Sequence, residues 1–150
     1  MTIKLNSLED PKMIDLIREA IDRGVKVRML IRGICCFLAL NDKQEEIKIV
    51  SIVDDLLEHT RIYKFGEGEN AEIYLASADW MTRNLSHRIE VAFPIIDEPA
   101  RDLLNAELDL QLSDSIKGRI AHGDKINQMV EGDNKISSQQ SFYELIQRTE

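Results

Sequence analysis

Asp10-Pro11 reads as an N-cap followed by proline at the first helical position, and Met13, Ile14, Ile17, Ala20 and Ile21 then recur at helical spacing up to Gly24. An amphipathic helix is predicted there. At Val25 the apolar period changes to two: Val25, Val27, Met29 and Ile31 share one face, with Lys26 and Arg28 between them. That strand delivers Arg32-Gly33 at its C-terminal end. An apolar stretch, ICCFLAL, and a charged link, NDKQEE at 41–46, follow. The β-branched run Ile47–Val53 predicts a second strand, leading into a brief helical turn over 54–59 that ends on His59.

Beyond His59 the pattern is that of a hairpin. Arg61–Phe65 and Glu72–Ala76 flank the glycine-bearing turn GEGEN at 66–70. Residues 88–95, RIEVAFPI, predict a further strand, and Asp97-Glu98-Pro99 opens a second capped helix whose apolar stripe is Leu103, Leu104, Leu108 and Leu112. Ile116–Ala121 and Ile126–Val130 flank a polar turn, His122 to Lys125, as a second hairpin, and a closing helix lies around Phe142 to Gln147. The fold class expected is α/β, a mixed β-sheet flanked by helices. Residues 1–112 form its core, and 113–150 add a hairpin and helix packed on the same domain.

A chain of 150 residues, 43% of them hydrophobic, suits one domain with its own core. No segment approaches the roughly 20 apolar residues that span a bilayer, and the N-terminus lacks the basic-then-apolar layout of a secretion signal, so a cytoplasmic protein is expected. The only cysteines, Cys35 and Cys36, are adjacent, which disfavours a mutual disulfide or a structural zinc site and suggests two small buried or half-buried thiols. Net charge is −8, against broad nucleic-acid binding. The charge is uneven, however. Residues 23–88 carry ten basic and ten acidic side chains, whereas 89–150 carry six and twelve, so anion handling falls to the first half.

Three segments combine basic or hydroxyl groups with strand ends, where ligands of open sheets usually sit. Arg32 could meet a phosphate with its planar fork where Gly33 leaves room, or pair with a carboxylate. His59 could act as nucleophile, general acid or phosphate ligand, and Arg61, two residues on along an extended segment, could face the same anion. A histidine at a helix end also serves as a cap or surface residue. Ser77 to Asn84, with Asp79, Trp80 and Arg83, suits an oxygen-rich ligand, or else forms a turn capped by Ser77 or Asp79 with Trp80 in the core.

The strings VKVRMLIRGICC, VSIVDDLLEHTRIYKF and IYLASADWMTRNLSHRIEVAFPI closely resemble, in this order and spacing, the last catalytic domain of polyphosphate kinases. LEDPKMIDLIREAIDRG and FYELIQ fit the same family, so the resemblance covers nearly the whole chain. It implies a phospholipase D-like domain. Members of that wider family carry a His-x-Lys element followed by Gly-Ser-x-Asn. His59-Thr60-Arg61 looks like the first with arginine for lysine, and Ala76-Ser77-Ala78-Asp79 like the second with alanine for glycine and aspartate for asparagine. Both departures fit the kinase branch better than a lipase.

The resemblance implies reversible transfer of the terminal phosphate of ATP to inorganic polyphosphate, through a phosphohistidine in a preceding domain absent here. It makes His59 the catalytic candidate. Arg32 and His59 become the ATP and phosphate contacts, with Arg61, Ser77 and Arg83 as secondary candidates. ATP and ADP are then substrates, and Mg2+ belongs to residues outside this chain, so no metal site is expected within it. The partners implied are ATP, polyphosphate, the remaining domains of the same enzyme and further copies in a homo-oligomer, with association to a membrane only through the full-length enzyme. Two alternatives remain: a non-catalytic phosphate-binding or assembly module, and a phospholipase D-type phosphodiesterase working as a dimer.

Overall fold

A computed structural model describes residues 1–38, 47–132 and 134–148. Its centre is a seven-stranded mixed sheet: β1 (Thr2–Leu5), β2 (Val27–Ile31), β3 (Ile47–Ser51), β4 (Ile62–Phe65), β5 (Glu72–Ala76), β6 (Ala92–Pro94) and β7 (Arg119–Ile120). The spatial order is β6-β5-β4-β1-β2-β3-β7. β1, β2 and β3 run parallel, and β4, β5, β6 and β7 are each antiparallel to the neighbour that they join. The helices are α1 (Pro11–Asp22), α2 (Thr82–His87), α3 (Glu98–Leu112) and α4 (Ser138–Gln147). The α/β class and the flanking helices are therefore as the pattern predicts.

Each face of the sheet builds its own core. Ile3, Leu5, Met29, Ile31 and Ile49 meet α1 through Ile14, Ile17 and Ile21, with Phe37 and Trp80 closing the cluster. On the other face Leu30, Val50, Ile62 and Ile73 meet Leu108 and Leu112 of α3. Central strands are thus covered on both sides, and Met29, Leu30 and Ile31 are all buried where alternation alone assigned only two of them. Full burial of one such side chain contributes about 1.5–3 kcal/mol.

α1 begins as expected: the Asp10 carboxylate accepts from the Met13 N–H, and proline follows at the first helical position. Several elements are shorter or different. Val25 is exposed and β2 starts only at Val27; β3 stops at Ser51. Residues 54–59 form no helical turn but an irregular segment, because Leu56 and Leu57 face solvent and give a helix no face to bury. The strand over 88–95 shrinks to Ala92–Pro94, since 82–87 form α2 and Ile89 is fully exposed. Neither Ser77 nor Asp79 caps that helix; its N-cap is Met81, without a side-chain bond.

The second hairpin reduces to β7 and a bridge from Arg119 to Met129 around a short 3₁₀ turn at Gly123–Lys125. The closing helix starts earlier than expected, at Ser138. Cys36 is exposed, whereas Cys35 is half-buried. Ala39, Leu40 and the charged link at 41–46 lie outside the described residues. Among the described residues no helix is long and apolar enough to cross a membrane.

Candidate functional site

The parallel strands β1, β2 and β3 and the antiparallel β5 all end at one edge of the sheet, and β4 starts there. That edge gathers Asn6, Arg32, Arg61 and the segment 77–79. Leu5 pairs with Ile31, so Asn6 and Arg32 leave the sheet in register. The Arg32 guanidinium donates twice to Asn6 Oδ1, from Nε at 3.0 Å and from Nη2 at 2.5 Å. Gly33 is required here, but by the backbone: a Cβ on it would lie 2.9 Å from the Asn6 carbonyl oxygen, to which the Gly33 N–H donates at 2.8 Å. Close approach of the two strand ends by itself accounts for a glycine at this position.

From Asn6 a relay of hydrogen bonds continues to His59. The Asn6 and Ser7 N–H groups donate to Asp79 Oδ1 at 2.7 and 3.1 Å, and Arg61 Nη2 donates to Asp79 Oδ2 at 2.9 Å. Arg61 Nη2 also meets His59 Nε2 at 2.9 Å, while Nη1 donates to the His59 carbonyl at 3.1 Å. Arginine has donors only, so in this contact the Nε2 lone pair of the ring is the acceptor. His59 is exposed; Arg61 and Asp79 are not, with side chains 14% and 5% accessible. The relay thus runs beneath the surface and surfaces at the histidine.

Burial pushes the Asp79 carboxyl up, but the Arg61 hydrogen bond and the Ser7 and Asn6 N–H groups outweigh it and hold the group below its ordinary value. The native state therefore binds fewer protons at Asp79 than the unfolded chain. Its stabilisation is complete above the unfolded value of about 4 and is lost as pH falls through the lower folded value. Thermal melts of the chain from pH 7 downward should show a melting temperature that drops below about pH 4. Asp79→Asn should flatten that drop; an identical acid limb in this variant would remove Asp79 from the account.

Other members of the sequence set sit differently. Ser77 is exposed and occupied: its hydroxyl donates to Glu90 Oε2 and accepts from the Val91 N–H at 3.0 Å, which ties β5 to β6. Glu90 Oε1 accepts from Asn84 Nδ2 at 2.6 Å. Arg83 is exposed on the first turn of α2 and has no hydrogen-bond or ion-pair partner among the described residues. Trp80 is buried against Tyr63, ring centroids 5.3 Å apart, and Tyr63 donates to the Ala78 carbonyl at 2.5 Å, fixing the turn that carries Asp79. The edge therefore brings Arg32, Arg61 and His59 into one network, leaves Ser77 beside it and Arg83 outside it.

Asn6 is the connector that sequence reasoning missed; Asp79 is singled out with its motif as part of a ligand turn, and the structure makes it the second connector. Asn6 follows the short alternating run Thr2–Leu5, a signal too brief to predict β1. A cavity of about 30 Å³, lined by Lys4, Arg32, Glu58, Thr60 and Gln111 among others, lies under the edge. It has room for roughly one water molecule and is too small for a phosphate. Among the described residues no three His, Cys, Asp or Glu side chains come together to hold a metal ion.

The sequence profile of the family "Polyphosphate kinase C-terminal domain 2" matches residues 1–141. The chain belongs to this family. A polyphosphate kinase of Klebsiella pneumoniae is 39% identical over 153 residues, covering 100% of this chain and 22% of that protein. One of Staphylococcus epidermidis is 43% identical over 141 residues, 93% of this chain and 19% of that protein. The crystal structure of polyphosphate kinase from Porphyromonas gingivalis superposes with a TM-score of 0.92 at 32% identity, over 99% of this chain and 23% of that one. The chain thus spans about a fifth of the length of the polyphosphate kinases that it matches.

Proposed function

We propose that this chain is the segment of a polyphosphate kinase that grips the transferring phosphate while the terminal phosphate of ATP moves, reversibly, to inorganic polyphosphate. The observation that carries this reading is the relay Arg32–Asn6–Asp79–Arg61–His59 at the strand-end edge. It joins three of the side chains singled out by motif and commits their orientations before any ligand arrives. Phosphoryl transfer passes through a loose transition state with charge on the peripheral oxygens, so preset cations and donors supply most of the acceleration.

In that mechanism Arg32, already held by Asn6 Oδ1 through Nε and Nη2, offers the remaining in-plane N–H donors of its two Nη groups to phosphate oxygens. His59 begins as an acceptor from Arg61. An incoming phosphate brings oxygens that compete with the ring for the Arg61 donors and that can accept from a ring N–H of His59. That N–H then donates to a phosphate oxygen, and Arg61 is freed to follow the charge. The bond from the terminal phosphorus to its bridging oxygen breaks, ADP leaves, and the phosphoryl group passes to a carrier histidine elsewhere in the enzyme and then to the end of polyphosphate.

Arg32→Lys in the full-length enzyme tests the reading. Lysine keeps the charge and loses the fork, so kcat should fall on the order of tenfold or more with the fold intact. Steady-state rates in both directions, with thermal melts, make the check. A rise in KM with kcat unchanged would support a phosphate-binding module without chemistry, and unchanged kinetics would remove Arg32 from the site.

A further inference from the structure

We infer that Gln139, at the start of α4, is a positioning residue for His59, acting through a polar clamp on the segment 52–61; this rests on the reading of His59 given above. The segment has no regular secondary structure and almost no apolar anchor: Val53, Leu56 and Leu57 are 70%, 65% and 75% exposed. Hydrophobic burial therefore does not set its path. Polar contacts do.

Gln139 holds the backbone of Leu56 from both sides, its Oε1 accepting from the Leu56 N–H at 3.0 Å and its Nε2 donating to the Leu56 carbonyl at 2.9 Å. The same Nε2 donates to Glu58 Oε1 at 3.0 Å. The other carboxylate oxygen of Glu58 accepts from Lys4 Nζ at 2.6 Å and from Gln111 Nε2, and Lys4 is shared with Glu107 at 2.7 Å. Lys4, Glu107 and Gln111 are 6%, 8% and 5% exposed, so the clamp is seated on a buried polar cluster between β1 and α3. Such a cluster is rigid when satisfied, because an unmade bond in low dielectric is costly. Glu58 is the residue before His59, and its two oxygens are divided between the core and α4. The start of α4 is itself fixed, since Asp114 accepts from both the N–H and the hydroxyl of Ser138, at 2.8 and 2.6 Å.

The clamp therefore sets the histidine by its neighbour in sequence, while Arg61 sets the ring. Gln139 touches neither the ring nor, in this reading, the phosphate. Its loss should misplace His59 only where placement matters, in the transition state.

The test uses the full-length enzyme. Gln139→Met keeps the volume and removes all three bonds; kcat should fall on the order of tenfold to a hundredfold, with KM for ATP within about twofold of normal. In the His59→Ala background the same change should cost nothing further, as expected when one residue acts through another. A donor–acceptor exchange supplies the rescue. Gln139→Glu alone sets two carboxylates face to face and should lose activity. Combined with Glu58→Gln, which turns its amide nitrogen toward residue 139 and leaves its oxygen to Lys4 and Gln111, the bond between 139 and 58 is remade while the one to the Leu56 carbonyl is not, so part of the lost kcat should return.

Unchanged kcat in Gln139→Met, a loss confined to KM, an equal loss in the His59→Ala background, or no recovery in the exchanged pair of a well-folded enzyme would each overturn the inference. Near-normal synthesis in His59→Ala would instead sink the underlying reading. Amide exchange over 52–61, expected to quicken in Gln139→Met, still tests the clamp in that event, and unaltered exchange would refute it.

Discussion

Replacing His59 by alanine in the full-length enzyme should remove most polyphosphate synthesis, on the order of 10²–10⁴-fold if it acts as a general acid, and leave the melting temperature near normal. The two halves of this expectation have separate grounds. His59 is exposed, and among the described residues its ring bonds only to Arg61, which keeps its bond to Asp79 when the ring is gone. Stability thus has little to lose. Activity has much to lose, because the ring is the most exposed part of the relay and, in the proposed reading, the part that donates to the transferring phosphate.

The other histidines are controls. His87 is exposed at the last residue of α2, and His122 is half-buried beside the 3₁₀ turn, where burial pushes its pKa down and Nδ1 has no hydrogen-bond partner among the described residues. Neither touches the relay, so His87→Ala and His122→Ala should cost far less synthesis. Rates and melts of the three variants decide the matter. Full synthesis by a well-folded His59→Ala enzyme would make the His-x-Arg element structural.

The largest effect on stability is expected at Asp114. It is 0% exposed and accepts from five donors: the Ile116, Lys117 and Gly118 N–H groups at Oδ1, and the N–H and hydroxyl of Ser138 at Oδ2. Burial pushes its carboxyl up, yet the bonds from Ser138, Lys117 and Gly118 hold it below the ordinary value. Asp114→Ala leaves several buried donors unpaired, each a cost of about 1–3 kcal/mol, so a total loss on the order of 3 kcal/mol or more is expected. For a chain of this length that is a fall of about 6–12 °C in melting temperature. Asp114→Asn should fall in between, since its amide oxygen can serve one set of donors while its nitrogen opposes the other. Thermal melts of the chain give the answer, and a shift under about 2 °C for the alanine variant would contradict this account of the C-terminal segment.

Asp114 also shows what a sequence pattern can and cannot deliver. A lone aspartate before a predicted hairpin carries no local signal that it will bind the start of a helix 24 residues later. Gln139 and Glu58 are likewise ordinary polar residues until α3, α4 and β1 are packed. The same holds for Lys4, which sits in a strand too short to be predicted and would be assigned to solvent by its charge.

What the sequence determined by itself was local or periodic. The proline-capped starts of α1 and α3, the alternation that makes β2, and the glycine turn between β4 and β5 each arise within about ten residues, where backbone preference and apolar spacing decide the outcome. The motifs at Arg32, at His59-Thr60-Arg61 and at Ser77–Asp79 were legible for the same reason, each being contiguous in the chain. Tertiary structure decided which of them act together. Asn6 joins Arg32 to Asp79 only because β1 lies between β2 and β4, and Arg61 and Asp79 meet only because β4 and β5 pair antiparallel. The segment 54–59 had a helical pattern yet formed no helix, because its leucines found no surface to bury and its polar side chains found buried partners instead. Contacts between residues distant in sequence depend on which strands become neighbours, and that choice is made by the whole core.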